Sequence, residues 1–532
     1  MRTLSSYLLG GWQPIAGEPT TILVNPATEE PLAAVGRAHD LGKAVAYGRD
    51  VGGPALRRLT FKERGAILQA MAKKIFEHRE ALLDLAVTSG GNTRGDAKFD
   101  IDGATGVLAA YAELAETLGD HPWIVEDDPA SLVRTSKIRA QHVSLPRHGL
   151  AIHINAFNFP AWGMIGKAAV SILAGMPVLS KPATSTCLVA HRLAELLAEG
   201  DLLPPGAFQF LAGPVGDLLD HVGPQDVIAF TGSAAVGAKI RSHARVLAAN
   251  TRVNIEADSL NAVVFGPDLE SGSQLFDLAI RDCVIEMTQK TGQKCTATRR
   301  ILVPEGLLDQ VSEVLAERLA DLAAKTGDPA AKGVRMGPLA TAQQLADARE
   351  GIARLRADAR VVRGDPERRA FEGVADGKGF FLEPILLAAT AEAALDPASA
   401  FHGLEVFGPV ATLLPYDGTL ASAAAIVRAG QGSLVSTVYS DDRTFTAGAI
   451  AELAPHLGRL VINDEKNAAG AFSPGCVFPQ ANHGGPGRAG SGAELGGLHG
   501  LGLYMQRTAI QGGASQLARI VGARAGAGGS AA

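Results

Sequence analysis

The chain has 532 residues, of which 47% are hydrophobic and 20% are charged, a composition that supports a large buried core and excludes disorder for the body of the chain. Its formal net charge is -6 and its basic residues form no run, so we expect no nucleic-acid partner. No apolar stretch reaches the roughly 20 residues of a membrane-spanning helix, and we expect a cytoplasmic protein with no membrane partner.

The cysteine content is low and argues against two further classes of protein. Only 4 cysteines occur, and none belongs to a Cys-x-x-Cys pair, so we predict neither a disulfide framework nor a thiolate metal site. The first ten residues lack the apolar stretch and small-residue cleavage site of a secretory signal, which agrees with a cytoplasmic location.

Helical spacing of apolar residues dominates the first quarter of the chain. It predicts one amphipathic helix over 61–85 and a second helix over 100–118 that stops near Gly119. Over 138–145 apolar and polar residues alternate instead, which predicts an exposed or edge strand. Such a strand could extend the sheet of another subunit.

From residue 149 short apolar runs alternate with helical stretches up to about residue 265, and they include a helical stretch at 236–248 and a strand at 261–265. This pattern predicts a parallel sheet with right-handed helical crossovers. A second α/β stretch runs from about 269 to 468, with strands predicted at 301–303, 411–414 and 460–462. Residues 522–532 are almost entirely Gly, Ala and Ser, so we expect a disordered tail there. The predicted fold class is α/β.

Cys295 is the cysteine whose surroundings suggest chemistry. Most free cysteines are buried packing residues, and we assign Cys187 and Cys283 to that role. Cys295 instead follows a polar segment in which Gly292 permits close approach of a ligand. Lys294 could favour a thiolate there, unless its side chain points to water.

Two other features lie where α/β proteins bind ligands. Glu256 ends a predicted strand, at the sheet edge where open α/β sheets place their sites, although most glutamates are solvated surface groups. The segment from Gly232 to Gly237 follows an apolar run and precedes a predicted helix. Its backbone amides could cradle a diphosphate, but glycine-rich turns of this kind also occur for purely steric reasons.

Six segments taken in order resemble the aldehyde dehydrogenase superfamily, and the match extends from Asn25 to Ala509. They are Phe157-Asn-Phe-Pro160, Lys181-Pro-Ala183, Phe230-Thr-Gly-Ser233, Glu256, Gly292-Gln-Lys-Cys295 and Glu405-Val-Phe-Gly-Pro409. The resemblance implies a Rossmann-like cofactor lobe, an α/β catalytic lobe and a β-strand oligomerisation arm, in at least a homodimer. We assign 1–133 and 149–262 to the cofactor lobe, 263–472 to the catalytic lobe, 134–148 and 473–520 to the arm and C-terminal segment, and 521–532 to the disordered tail.

The same resemblance implies roles for the reacting residues. Cys295 would attack the aldehyde, and Asn158 with the backbone amide of the cysteine would hold the oxyanion. Glu256 would then activate water to hydrolyse the thioester. Lys167 and Glu494 match positions that relay the proton of this base, although Lys167 could equally be a surface helix residue.

The resemblance further implies a dinucleotide site, whose residues are Phe157, Lys181, Thr184, Gly232, Ser233, Gly237, Glu405 and Phe407. Many relatives that prefer NAD carry Glu where this chain has Thr184. A threonine beside Lys181 leaves room for a 2′-phosphate, so we predict NADP as the cofactor. The alternative is that Thr184 merely caps the helix predicted to begin near Ser185.

Two departures from the usual family pattern indicate a subgroup. The segments Glu256-Ala-Asp-Ser-Leu-Asn261 and His153-Ile-Asn-Ala-Phe157 are similar to the dehydrogenases of aerobic phenylacetate and benzoyl-CoA degradation. The substrate implied is a small-molecule aldehyde, a CoA-linked semialdehyde that is oxidised to the acid. Those phenylacetate proteins carry a further hydratase-like domain, for which this chain lacks residues, so we expect it to stand alone.

Three alternatives remain open at this point. The substrate could be a free aliphatic or aromatic aldehyde, since the entrance loops decide this and the sequence does not locate them. The chain could be a non-catalytic nucleotide-binding protein on the same scaffold. A CoA-acylating dehydrogenase is disfavoured, because Glu256 provides a base for hydrolysis.

Overall fold

The computed structural model describes residues 1–38, 40–126, 130–132, 134 and 137–523. Within this part the strands are β1 Arg2–Thr3, β2 Ser6–Leu8, β3 Gly11–Gln13, β4 Ala16–Val24, β5 Pro31–Arg37, β6 Ile124–Val125, β7 Ala130–Ser131, β8 Ile138–Pro146, β9 Ala151–Ile154, β10 Val178–Lys181, β11 Phe208–Phe210, β12 Val227–Thr231, β13 Arg252–Glu256, β14 Ala262–Phe265, β15 Arg300–Pro304, β16 Ala359–Arg363, β17 Ile385–Ala389, β18 Val410–Tyr416, β19 Ser433–Tyr439, β20 Leu457–Asn463 and β21 Met505–Gly513.

The α-helices of the described residues lie between and around these strands. They are α1 Leu41–Tyr47, α2 Gly53–Arg57, α3 Phe61–Glu77, α4 Arg79–Gly90, α5 Arg94–Leu118, α6 Trp162–Ala174, α7 Cys187–Ala198, α8 Ala234–Arg241, α9 Ala244–Ala249, α10 Gln274–Thr288, α11 Leu308–Ala323, α12 Ala342–Leu355, α13 Ala391–Leu395, α14 Ala400–Gly403, α15 Leu420–Ala429, α16 Arg443–Leu453, α17 Leu498–Leu501 and α18 Ala514–Ala523. Among the described residues, none of these helices has the length and apolarity to cross a membrane.

The first large sheet has 7 strands in the order β13-β12-β9-β10-β11-β2-β3. The five strands from β13 to β11 are parallel, and the β2–β3 hairpin adds an antiparallel edge. The chain moves outward from β9 to β11 and then resumes on the other side of β9 with β12. This reversal places a topological switch at β9, where the carboxyl ends of neighbouring strands form a crevice.

The second large sheet also has 7 strands, in the order β16-β17-β18-β15-β14-β19-β20. All neighbouring pairs are parallel except the antiparallel pair of β16 and β17. Its five inner strands, from β17 to β19, are continuous buried runs, as expected for a parallel sheet that is covered on both faces. Two apolar clusters fill those faces, one around Phe401 and one around Phe265.

A third sheet forms the predicted arm. The predicted strand at 138–145 is confirmed as β8, which pairs antiparallel with β21 from Met505↔Pro146 to Gly513↔Ile138. β21 is the edge strand of this sheet, and most of its residues are exposed.

Most predicted elements are confirmed, but three are wrong in detail. The helix predicted over 61–85 is two helices, α3 and α4, that meet at His78. The helical stretch at 236–248 is likewise two helices, α8 and α9. The strand predicted at 261–265 belongs to the second sheet as β14 and pairs there with β15 and β19, rather than extending the first sheet.

The fold class and the two-lobe architecture are as predicted, whereas the domain boundaries stay a prediction. Of the residues predicted to form a disordered tail, 521–523 fall within α18. The others, 524–532, lie outside the described residues.

Candidate active site

Cys295 lies at the end of a tight loop that follows α10. Three successive residues of this loop, Lys290, Thr291 and Gly292, have φ values of 52°, 56° and 67°. A Cβ atom on Gly292 would lie 2.1 Å from the carbonyl oxygen of Gly408. The close approach of these two backbone segments therefore requires glycine at position 292. The loop thereby holds Cys295 against the segment that contains Glu405 and Phe407.

The segment that departs from the usual family pattern holds the same loop from the other side. Nδ2 of Asn261 donates to the carbonyl oxygens of Cys295 and Ala297, both at 2.8 Å. Its Oδ1 accepts from the Ser259 hydroxyl at 2.6 Å and from the Val435 amide at 3.1 Å. Asn261 therefore fixes the backbone of Cys295 to the start of β14.

Lys294, beside the cysteine, is buried rather than turned to water. Its Nζ lies 2.6 Å from Oε2 of Glu286, and both side chains are 1% exposed. It also donates to Gln289 at 2.8 Å. The positive charge that the sequence suggested for Cys295 is therefore largely balanced by Glu286.

Glu256 ends β13, as the sequence predicts, and is buried beside Cys295. Burial raises its pKa, but the charge of His483 and the hydrogen bond from its ring outweigh this effect and hold the pKa of Glu256 below its usual value. Burial and the neighbouring carboxylate of Glu256 together raise the pKa of Cys295. The ring nitrogen Nε2 of His483 lies 2.9 Å from Oε2 of Glu256.

His483 carries no signal in the sequence that marks it as functional, and the structure brings it into the centre of the site. Its Nε2 lies 3.9 Å from Sγ of Cys295. Glu256, Cys295 and His483 present atoms within 4.8 Å of one another. The 2.9 Å between His483 and Glu256 is a hydrogen-bond distance, and the absence of a metal at this group stays a prediction.

Lys167 and Glu494 lie next to this group. Nζ of Lys167 is 3.2 Å from Oε2 of Glu494, and it donates to the hydroxyl of Thr231 at 2.7 Å. The Lys167 side chain is 5% exposed, so its interpretation as a surface residue is wrong. Burial raises the pKa of Glu494, and the positive charge of Lys167 offsets part of this rise.

Asn158 follows β9 at the same edge of the first sheet. Its Nδ2 donates to the carbonyl oxygen of Gln293 at 3.0 Å, and the residue is 8% exposed. This contact ties it to the loop that carries Cys295. Asn158 and Cys295 line the same two cavities.

A groove of about 710 Å³ runs along the carboxyl ends of the strands of the first sheet. Seven of the eight predicted cofactor residues line it: Phe157, Lys181, Thr184, Gly232, Ser233, Glu405 and Phe407. The eighth, Gly237, lies within α8 and packs against Ile255 instead.

Buried charge fixes one wall of this groove. Arg299 lies 3.5 Å from Oε1 of Glu405 and donates to the carbonyl oxygens of Gly292 and Gly408 at 2.9 and 2.7 Å. Burial raises the pKa of Glu405, and the charge of Arg299 offsets part of this rise; the resulting pKa is about 7. The ring of Phe407 lies edge-on to that of Phe157, at 5.7 Å between centroids.

Two of the amides at the start of α8 are already paired. The amide of Ala234 donates to Oδ1 of Asp258 at 3.0 Å, and that of Val236 donates to the Ser233 hydroxyl at 3.4 Å. A diphosphate held here would meet an exposed Ser233 side chain and a helix end that Asp258 already caps.

Thr184 does not begin the following α-helix. The residue that precedes α7 is Thr186, and its hydroxyl donates to the carbonyl oxygen of Phe157 at 2.7 Å. Thr184 starts a one-turn 3₁₀ helix and lines the groove together with Lys181. This placement disfavours the interpretation of Thr184 as the cap of α7.

A second, narrower cavity of about 90 Å³ reaches Cys295 from the other side. Its lining is mostly apolar and includes Phe99, Phe159, Trp162, Val170, Val477 and Leu495. Five residues line both this cavity and the groove: Ala156, Asn158, Thr231, Glu256 and Cys295. The two spaces therefore meet at the thiol.

Comparison with known proteins agrees with this geometry. Residues 12–510 match the aldehyde dehydrogenase family. The chain belongs to that family. This aldehyde dehydrogenase is 43% identical over 487 residues to the 3,4-dehydroadipyl-CoA semialdehyde dehydrogenase of Aromatoleum evansii, covering 91% of this chain and 93% of that protein. It is 29% identical to the geranial dehydrogenase of Castellaniella defragrans, covering 82% and 86% of the two chains.

Solved structures show the same fold. A point mutant of aldehyde dehydrogenase from Bacillus cereus superposes with a TM-score of 0.82 at 23% identity, covering 96% of this chain and 97% of that one. A point mutant of betaine aldehyde dehydrogenase from Staphylococcus aureus, in complex with NAD⁺, gives a TM-score of 0.80 at 25% identity, with 96% of each chain covered. The predicted family and fold are confirmed, and this aldehyde dehydrogenase is an enzyme that acts on an aldehyde substrate with a nicotinamide dinucleotide.

Proposed function

We propose that this enzyme oxidises a CoA-linked semialdehyde, 3,4-dehydroadipyl-CoA semialdehyde, to the carboxylic acid with NADP, in the aerobic degradation of benzoate. The observation that carries the reaction type is the meeting of the open groove and the apolar cavity at Cys295 and Glu256. A cofactor in the groove and an aldehyde in the cavity would then reach the thiol from opposite sides.

Covalent catalysis begins at Cys295. Its thiolate attacks the aldehyde carbon to form a thiohemiacetal, whose oxyanion receives hydrogen bonds from Nδ2 of Asn158 and from the backbone amide of the cysteine. When bound, the nicotinamide supplies the acceptor for the hydride that leaves this carbon. The product on the enzyme is a thioester of Cys295.

Hydrolysis of the thioester needs a base, and Glu256 is the ionised carboxylate beside Cys295. It takes a proton from water as the oxygen attacks the thioester carbon, which releases the acid and the free thiol. Lys167 and Glu494 lie behind it and provide a route along which this proton leaves. The carboxylate at this point favours a free acid over transfer of the acyl group to CoA.

The groove fits NADP through Lys181 and Thr184. Both line its end near α7, where an ammonium and a hydroxyl can each donate to a 2′-phosphate. Glu405 and Lys181 would hold ribose hydroxyls, Ser233 would meet the diphosphate, and Phe407 would face the nicotinamide. Oε1 of the buried Glu405 faces Arg299 at 3.5 Å but accepts no hydrogen bond from the described residues, which is consistent with a ligand hydroxyl at this point.

The substrate assignment rests on the relative that is 43% identical and acts on that semialdehyde. The apolar lining of the narrow cavity suits the hydrocarbon end that carries the aldehyde, and the CoA group would remain outside. The same lining would accept a free aliphatic aldehyde, which is the competing proposal. We also propose the domain boundaries given above and a cytoplasmic homodimer.

A matched pair of substrates separates the two proposals. We expect kcat/KM for a CoA-linked semialdehyde to exceed that for the free semialdehyde of equal chain length by at least about tenfold, because the CoA group adds contacts outside the cavity. Equal values for the two would favour the free aldehyde. The Cys295→Ala variant serves as the control for background oxidation.

A further inference from the structure

His483 is the side chain of the active-site group to which the resemblance gives no role. It is 8% exposed, and its Nε2 lies between Oε2 of Glu256 at 2.9 Å and Sγ of Cys295 at 3.9 Å. Its other ring nitrogen, Nδ1, is buried with no hydrogen-bond partner among the described residues. The contacts of the ring with its protein neighbours therefore converge on the nucleophile and the base.

The backbone around His483 is fixed as firmly as that around Cys295. The amide of Glu494 donates to the carbonyl oxygen of His483 at 2.6 Å. The next residue, Gly484, has a φ of 137°, and a Cβ there would lie 2.1 Å from the carbonyl oxygen of Gly492. The glycine-rich chain thus sets the ring in one place, which is the property expected of a residue that orients another.

From this geometry we propose that His483 is a positioning residue for the hydrolytic step: it holds the carboxylate of Glu256 ionised and beside Cys295. The Nε2–H of the ring donates to Oε2 of Glu256. When the ring is protonated its charge balances the carboxylate, and the ring lies 3.9 Å from the sulfur on which the thiolate forms. The inference rests on the proposed function, in which Glu256 is the base.

The need for such a residue follows from electrostatics. A thiolate and a carboxylate side by side in a buried site repel each other, and burial favours the neutral form of each. One imidazolium between them offsets this repulsion. The other charged and titratable groups around the pair are Lys167, Glu494, Arg459, Lys294, Glu405 and Arg299.

Lys167 and Lys294 do not replace His483, because each is committed to another carboxylate. Lys167 pairs with Glu494 at 3.2 Å, and Lys294 pairs with Glu286 at 2.6 Å. His483 is the group that lowers the pKa of Glu256 most, and its loss would leave that carboxylate with the Cys295 thiol as its remaining hydrogen-bond donor. Burial would then dominate and raise the pKa of Glu256.

The test is the pH profile of hydrolysis in the His483→Phe variant. The base form of Glu256 exists above its pKa, so a raised pKa should move the acidic limb of kcat to higher pH by about one unit or more. At neutral pH we expect kcat to fall at least about tenfold, with a burst of about one equivalent of reduced cofactor per site, because acylation continues while hydrolysis stalls. KM should fall together with kcat, so that kcat/KM, which reports acylation, changes much less than kcat.

His483→Gln is the second variant. The polar amide of glutamine is easier to accommodate in this buried site than the phenyl ring of His483→Phe. It can donate a hydrogen bond but carries no charge, so we expect a smaller shift of the same limb in the same direction. His499→Gln, at an exposed histidine of α17, is the matched control and should behave as the wild type. A pure packing role would lower activity equally at every pH.

An acidic limb that stays at the wild-type pH in both His483 variants would overturn the inference. An equal loss of rate across the whole pH range would overturn it as well. Failure of the proposed function looks different: Cys295→Ala would then retain turnover, or the wild type would oxidise no aldehyde. Both are measured in the same assay.

Discussion

Cofactor choice depends on Thr184 at the scale of single residues. Thr184→Glu would place a carboxylate beside Lys181, where it repels a phosphate dianion and accepts hydrogen bonds from a ribose hydroxyl. We expect kcat/KM for NADP to fall at least about tenfold, equal to roughly 1.4 kcal/mol, and that for NAD to be spared. Steady-state kinetics with both cofactors measure the ratio.

Thr184→Ser is the matched control for this prediction, because it keeps the hydroxyl and should retain the preference for NADP. An unchanged ratio of the two kcat/KM values in Thr184→Glu would contradict the assignment of Thr184 to the 2′-phosphate. Loss of thermal stability with that ratio unchanged would point to a local structural role instead.

The functional residues that can be predicted from the sequence are those whose neighbours in the chain form a recognisable pattern. Glu256 ends a predicted strand, and Cys295 follows a polar loop that contains Gly292, so each can be found from its neighbours in the chain. His483 has no such signature, because a lone histidine in a glycine-rich segment is common and its partners lie 227 and 188 positions away. The sequence likewise does not predict the partner of Lys294, because Glu286 on α10 contacts it only in the folded chain.

At the scale of elements, the buried pair of Lys294 and Glu286 fastens the nucleophile loop to α10. Lys294→Met would leave Glu286 buried without a counter-charge, which costs about 3 to 5 kcal/mol of the free energy of unfolding. We expect the apparent Tm to fall by about 5 °C and turnover to fall with it. Thermal unfolding followed by circular dichroism measures the change.

Two variants control for the loss of the lysine itself. Lys98→Met, at an exposed lysine of α5, should leave the apparent Tm unchanged. The double variant Lys294→Met with Glu286→Gln removes both charges and should recover part of the lost stability. A single variant as stable as the wild type would show that the pair does not hold the loop.

Element boundaries are the part of the fold that periodicity predicts least well. Apolar residues keep a helical spacing through His78 because α3 and α4 bury side chains on the same side. The break lies at His78, whose φ of −107° and ψ of 13° are not helical, and Arg79, which begins α4, pairs with Asp102 of α5 at 2.6 Å. The strand at 262–265 has the same apolar run whichever sheet it joins, and its place in the second sheet is set by pairing with β15 and β19.

At the scale of the whole molecule, the edge strand β21 exposes its free side while β8 covers the other. Exposed edges of this kind commonly pair with another chain. We therefore expect light scattering at micromolar concentration to report a particle of at least twice 55.0 kDa. A particle of 55.0 kDa under the same conditions would contradict the proposed homodimer.

The central claim is that Cys295 carries the acyl group and Glu256 releases it by hydrolysis. The most direct test is the mass of Glu256→Gln enzyme after mixing with aldehyde and NADP, because the amide cannot take a proton from water. We expect the mass of one acyl group on the peptide that contains Cys295, with about one equivalent of reduced cofactor per site. Steady turnover at the wild-type rate, with an unmodified Cys295, would contradict the account.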